Sequence, residues 1–171
     1  LHGLQLWVAL PEKEEQCEPE FCHYEGDDLP TLETQDKKIR VMIGEAYGLK
    51  SNVKTKSPTL YVDAYLKAGS TLSLPENLAE RALYLVSGNV TSRGTSLPLH
   101  SMAIFNQASD IKITAHEDSH LIIIGGTPLG KRTVWWNLVS SRRELIEQAK
   151  ADWQAGQFPM VPGETESIPL P

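Results

Sequence analysis

From Lys38 onward the chain is a succession of short apolar stretches, each closed by Gly, Pro, Ser or Asn. Turn signals that recur roughly every ten residues are the mark of antiparallel strands folded into a sandwich or barrel. The expected strands are Ile39–Gly44, Thr59–Leu66, Thr71–Leu74, Ala82–Val90, Ser101–Phe105, Asp110–Ala115 and His120–Gly125. Leu83, Tyr84, Leu85 and Val86 are apolar at both parities, as in a strand shielded on both faces.

One segment leaves this pattern. Ser141 and Glu144 have capping-box spacing, Leu145, Ile146, Ala149 and Trp153 follow at helical spacing, and Gly156 can close the end. The spacing predicts an amphipathic helix over about 142–154. The tail to Pro171 is proline-rich and expected to be extended. At the other end, residues 1–10 read as one strand, and residues 11–37, rich in Glu, Asp and Pro, read as a linker. The start lacks Met, which predicts a chain cut from something longer.

Composition removes several functions. The formal net charge is −6, with no basic stripe, so direct binding to a phosphate backbone is not expected. No apolar run reaches the length of a membrane span. Two cysteines, Cys17 and Cys22, do not make a disulfide framework. With no signal peptide in view, a reducing cytoplasm is the expected location.

The chemical motifs weaken on inspection. Gly125 to Lys131 has P-loop spacing, but Arg132 follows the lysine and Val134-Trp135-Trp136 is no helix start. His116, Asp118 and His120 would share one face if they lay on a strand, and three such ligands can hold a transition metal. A polar turn is the simpler reading. Cys17, Cys22 and His23 make half a zinc site with no second half. No nucleophile elbow is present.

Several stretches resemble the pirin family of two-cupin proteins. They are Gly3-Leu4-Gln5-Leu6-Trp7-Val8, Ser57-Pro58-Thr59-Leu60-Tyr61, Ile124 to Gly130, Trp135-Trp136-Asn137-Leu138-Val139-Ser140-Ser141, Glu147 to Trp153, and Ile168 to Pro171. They run in order across nearly the whole chain and match the second half of that family. The resemblance implies an all-β fold, a cupin-type antiparallel β-barrel or double-stranded β-helix, with one late α-helix and an extended tail. It implies a division into 1–10, the closing strand of a missing N-terminal cupin domain, 11–37 a linker, 38–138 the C-terminal barrel, and 139–171 helix and tail.

In that family, iron sits in the N-terminal barrel, on two histidines separated by one residue, a following Glu, and ligands on a later strand. The corresponding positions here hold Leu74, Glu76 and Glu80, then Ile113 and Ala115. Only Glu80 is a vestigial candidate. His100, His116 and Glu117 are the fallback ligands. No metal or other cofactor is therefore expected in this chain, and Fe(II) is expected in the missing domain.

The resemblance implies a non-catalytic cupin domain of a pirin-like protein, whose other half carries iron and flavonol (quercetin-type) dioxygenase activity. The alternative is an interaction module of a redox-sensitive regulatory pirin. The expected partner is the N-terminal cupin domain of the same protein, with other protein partners or self-association also open. Leu145, Ile146, Ala149, Trp153 and Phe158 are the expected interface, with packing on the chain's own barrel as the competing reading.

Overall fold

A computed structural model describes residues 3–106, 110–160 and 162–171. Leu1, His2 and Val161, which the sequence reading includes in the first strand and the tail, lie outside the described residues. The strands are β1 (Thr31–Glu33), β2 (Lys37–Ile43), β3 (Glu45–Ala46), β4 (Leu49–Lys50), β5 (Thr59–Leu66), β6 (Thr71–Ser73) and β7 (Glu80–Ser87). They continue as β8 (Val90–Ser92), β9 (Thr95–Ser96), β10 (Met102–Asn106), β11 (Lys112–Ala115), β12 (Ser119–Gly126), β13 (Thr133–Trp135) and β14 (Leu138–Ser140). One helix, α1 (Arg143–Gln154), follows.

The chain divides into two compact units. The first runs from Pro19 to Pro128. It holds a six-stranded sheet in the order β1-β2-β5-β12-β7-β10 and a four-stranded sheet in the order β6-β11-β8-β9. Every pairing is antiparallel. Both sheets contribute to one aliphatic core. Ile39, Val41, Val62, Leu83, Leu85, Leu121 and Ile123 come from the larger sheet, and Leu72, Val90, Ile113 and Ala115 from the smaller. Period-two alternation makes this possible, because the intervening residues of each strand face outward.

The expectations for two stretches need correction here. The stretch Ala82–Val90 is two strands, β7 and β8, broken at Gly88 with φ +93. There the backbone presses on Ser119 so closely that any side chain would collide with it. The linker expected over 11–37 contains two 3-10 turns, Glu12–Glu14 and Gly26–Asp28, and the strand β1.

The second unit is Leu1–Glu18 together with Leu129–Pro171. The barrel unit thus ends near Pro128, short of the expected 138, because β13 and β14 pair with each other and carry α1. Residues 3–10, expected as a strand, pair with no strand among the described residues. Leu10 O is taken by the Arg132 guanidinium instead of by a neighbouring strand.

The helix ends as expected. Gly156 at φ +67 donates to Trp153 O, and Gln157 donates to Asp152 O, which is the Schellman arrangement. Its start differs. The N-cap is Arg142, without a side-chain cap bond, because Ser141 is committed to Glu15 instead of to a capping box.

Candidate functional site

A metal inside this barrel would need imidazole or carboxylate donors converging on its interior. Leu74 is 2% exposed, and Ile113 and Ala115 are fully buried in the aliphatic core. Leu74 is locked there by its amide donating to Ile111 O. The two remaining acids face elsewhere. The Glu76 carboxylate accepts the Asp110 amide at the surface, and Glu80 opens β7 as an exposed residue opposite Gly126. The residues present do not fit iron. Among the described residues, no three His, Cys, Asp or Glu side chains gather at one point.

The fallback ligands do not converge either. His116, Glu117 and Asp118 form a turn between β11 and β12, so strand parity does not apply. His116 bonds Thr91 Oγ1 at 2.9 Å. Asp118 accepts from Lys67 Nζ at 2.7 Å and from the Ala68 amide at 3.0 Å. Those bonds hold its carboxyl below the ordinary range, the Lys67 contact foremost. His120 turns to Asp63 on β5 and stacks on Tyr65 with ring centroids 4.1 Å apart. His100 is exposed in a turn at φ +58. Cys17 and Cys22 are free, exposed thiols.

The glycine run read as a phosphate-loop spacing has a steric explanation. A Cβ on Gly125 would lie 2.8 Å from Glu80 O. Gly126 ends β12 paired with Thr59 of β5 and Glu80 of β7, and Thr127 donates to Pro58 O. The next element after Lys131 is the strand β13, not a helix.

Two clusters were missed in the sequence. One is the row His120, Asp63 and Tyr65 on the outer face of the larger sheet. Its members are on the outward parity of β12 and β5, but only the register brings them together. The other lies in the second unit. The Glu15 carboxylate accepts from Ser140 Oγ at 2.8 Å, from the Ser141 amide at 2.9 Å and from Ser141 Oγ at 3.1 Å. Arg132 Nε lies 2.9 Å from it as an ion pair. The same guanidinium donates to Leu10 O and Leu129 O. Burial pushes the Glu15 carboxyl up, but the hydrogen bonds and the guanidinium together outweigh it, and the net shift is downward.

The expected interface residues are placed as follows. Ile146 is buried, Leu145, Ala149 and Trp153 are half-buried, and Phe158 is exposed. The helix packs on the β13–β14 hairpin. Trp153 meets Trp136 edge-on at 5.0 Å and Phe158 at 5.2 Å, and its Nε1 donates to Ile168 O at 2.7 Å. Trp136 makes its contact from φ +50, a conformation that side chains rarely adopt.

The family model for the pirin C-terminal cupin domain matches residues 61–159. The chain belongs to the pirin family. A pirin-like protein of Caulobacter vibrioides is 42% identical over 173 residues, covering 100% of this chain and 60% of that protein. Human pirin is 30% identical over 161 residues, covering 90% of this chain and 56% of that protein. Among solved structures, a quercetin 2,3-dioxygenase from Acinetobacter baumannii superposes with TM-score 0.81 at 25% identity, over 89% of this chain and 55% of that one. A second structure of that name gives TM-score 0.84 at 24% identity, a likeness of fold. The fold of this pirin-family chain is therefore cupin-type, mostly β with one late helix. It spans little more than half the length of these relatives. Among the described residues, no helix is long and apolar enough to cross a membrane.

Proposed function

We propose that this chain is the non-catalytic C-terminal cupin domain of a pirin-like protein, and that it serves the other cupin half structurally. Iron, and any dioxygenase chemistry on a flavonol such as quercetin, belongs to that half. The observation that carries this reading is the filling of the barrel's family metal positions by Leu74, Ile113 and Ala115. Residues 3–10 also support it. They have the alternation of a strand but no pairing partner among the described residues, as expected of a strand that completes the other barrel. Trp7, Val134, Met160 and Ile168 are exposed on the second unit and suit a docking role there. On this reading Phe158 continues that surface, while Leu145, Ile146, Ala149 and Trp153 support it from beneath. The chain's two cysteines are free and exposed, which suits a reducing compartment such as the cytoplasm.

Elemental analysis of the chain after incubation with Fe(II), Zn(II) or Mn(II) is expected to give well under one metal per chain. A longer protein carrying both halves is expected to hold iron and to consume oxygen with quercetin. About one metal on this chain alone, lost in Glu80→Gln, would overturn the reading. The same exposed apolar residues favour a second reading, an interaction module of a regulatory pirin. That reading gains if the longer protein holds iron, turns over no flavonol and captures a protein partner.

A further inference from the structure

Among the described residues, the two larger sheets of the barrel unit have four edge strands, and three of them are blunted. β1 has three residues, follows Pro30 and carries Glu33. β6 shows Thr71 and Ser73 on its outer parity, and β9 is only Thr95–Ser96. Such short, polar or charged edges are how proteins avoid edge-to-edge pairing. β10 has none of these devices. It is the end strand of the larger sheet, five residues long, Met-Ala-Ile-Phe-Asn, with neither a charge nor a proline. Its register with β7 sets Met102 opposite Tyr84 and Ile104 opposite Ala82, on the outward face. Met102 is 51% and Ile104 72% exposed, while Ala103 and Phe105 pack against the core. β10 thus pairs with β7 along one edge and has no strand partner on the other among the described residues.

We propose that the free edge of β10 is an interaction surface for a second copy of this chain. The two copies pair antiparallel about a two-fold axis, joining two six-stranded sheets into one. The occupant follows from self-complementarity. A two-fold through Ala103 keeps outward residues opposite outward residues, so Met102 of each copy faces Ile104 of the other and Ala103 faces Ala103. Apolar meets apolar, no charge is buried, and the open backbone groups of both edges are satisfied together. Edge pairing of this length buries less than a standard interface, so the dimer is weak, with Kd of about 10–100 μM.

Sedimentation of the chain over about 5–500 μM tests this. The wild type is expected to pass from monomer to dimer in that range. Met102→Lys with Ile104→Lys sets lysine against lysine at both outward pairs and is expected to raise Kd at least about tenfold. Met102→Glu with Ile104→Lys in the same chain sets opposite charges at the same pairs and is expected to recover the dimer. Both positions are exposed, and circular dichroism with the thermal midpoint checks that each variant is folded. A wild type that stays monomeric throughout overturns the proposal. So does a dimer that survives the lysine pair, or one that the opposite charges fail to recover.

Discussion

Leu74 and Glu80 differ in what their side chains touch. Leu74 sits in the core with its amide tied to β11's approach, so truncation leaves a cavity that packed neighbours fill only in part. Leu74→Ala is expected to cost about 2–5 kcal/mol in urea unfolding. Glu80 is exposed, and Glu80→Ala is expected to stay within about 0.5 kcal/mol. A large loss at Glu80 would contradict its placement. That β7 is shielded on both faces was readable beforehand, since Leu83 to Val86 are apolar at both parities, and Ala82, Leu83, Leu85 and Val86 are buried. The pairing of His120 with Asp63 was not, because it depends on a register between strands 57 residues apart. His116 and Asp118 lie in the polar turn that was the simpler reading of the sequence.

Among the elements, the β13–β14 hairpin and α1 are held to the N-terminal segment by the Glu15 carboxylate. Glu15→Gln removes the charge that Arg132 faces and weakens three hydrogen bonds. The folded-state carboxyl titrates below its ordinary value of 4.5. Its stabilisation is therefore complete above the unfolded-state value and is lost as pH falls through the folded one. The stability difference between wild type and Glu15→Gln is expected to be largest near neutral pH and to close in acid, below about pH 4. Denaturant curves at a series of pH values read this directly, and a difference that persists unchanged at pH 2 would rule it out. The helix itself was legible from its 3.6-residue period and its closing glycine. Its start was not, because the group that takes Ser141 comes from more than a hundred residues away, and spacing carries no such information.

For the molecule as a whole, the division into two units has a thermodynamic counterpart. The aliphatic core lies in the barrel unit, while the second unit buries Ile146 and Ser140 and is held by the Glu15 contacts, and unfolding is expected in two transitions and not one. Truncation after Gly156 removes Phe158 and the Ile168 carbonyl that Trp153 uses. It is expected to lower the transition seen by tryptophan fluorescence, because all four tryptophans lie in the second unit. The other transition, followed by strand circular dichroism, is expected to stay in place. One shared transition that falls as a whole would show the two units to be a single cooperative body. The family's barrel was readable from turn spacing and resemblance. The composite unit was not, since a linker and a tail look like two separate pieces in the sequence.

That composite has a consequence for synthesis on the ribosome. Ser140 is made 125 residues after Glu15. At roughly 5–20 residues per second the carboxylate waits about 6–25 s for its partners. The barrel strands emerge in that interval and can collapse first. The segment around Glu15 spends it unattached and open to a chaperone, until Ser140 and Ser141 arrive and close the clasp.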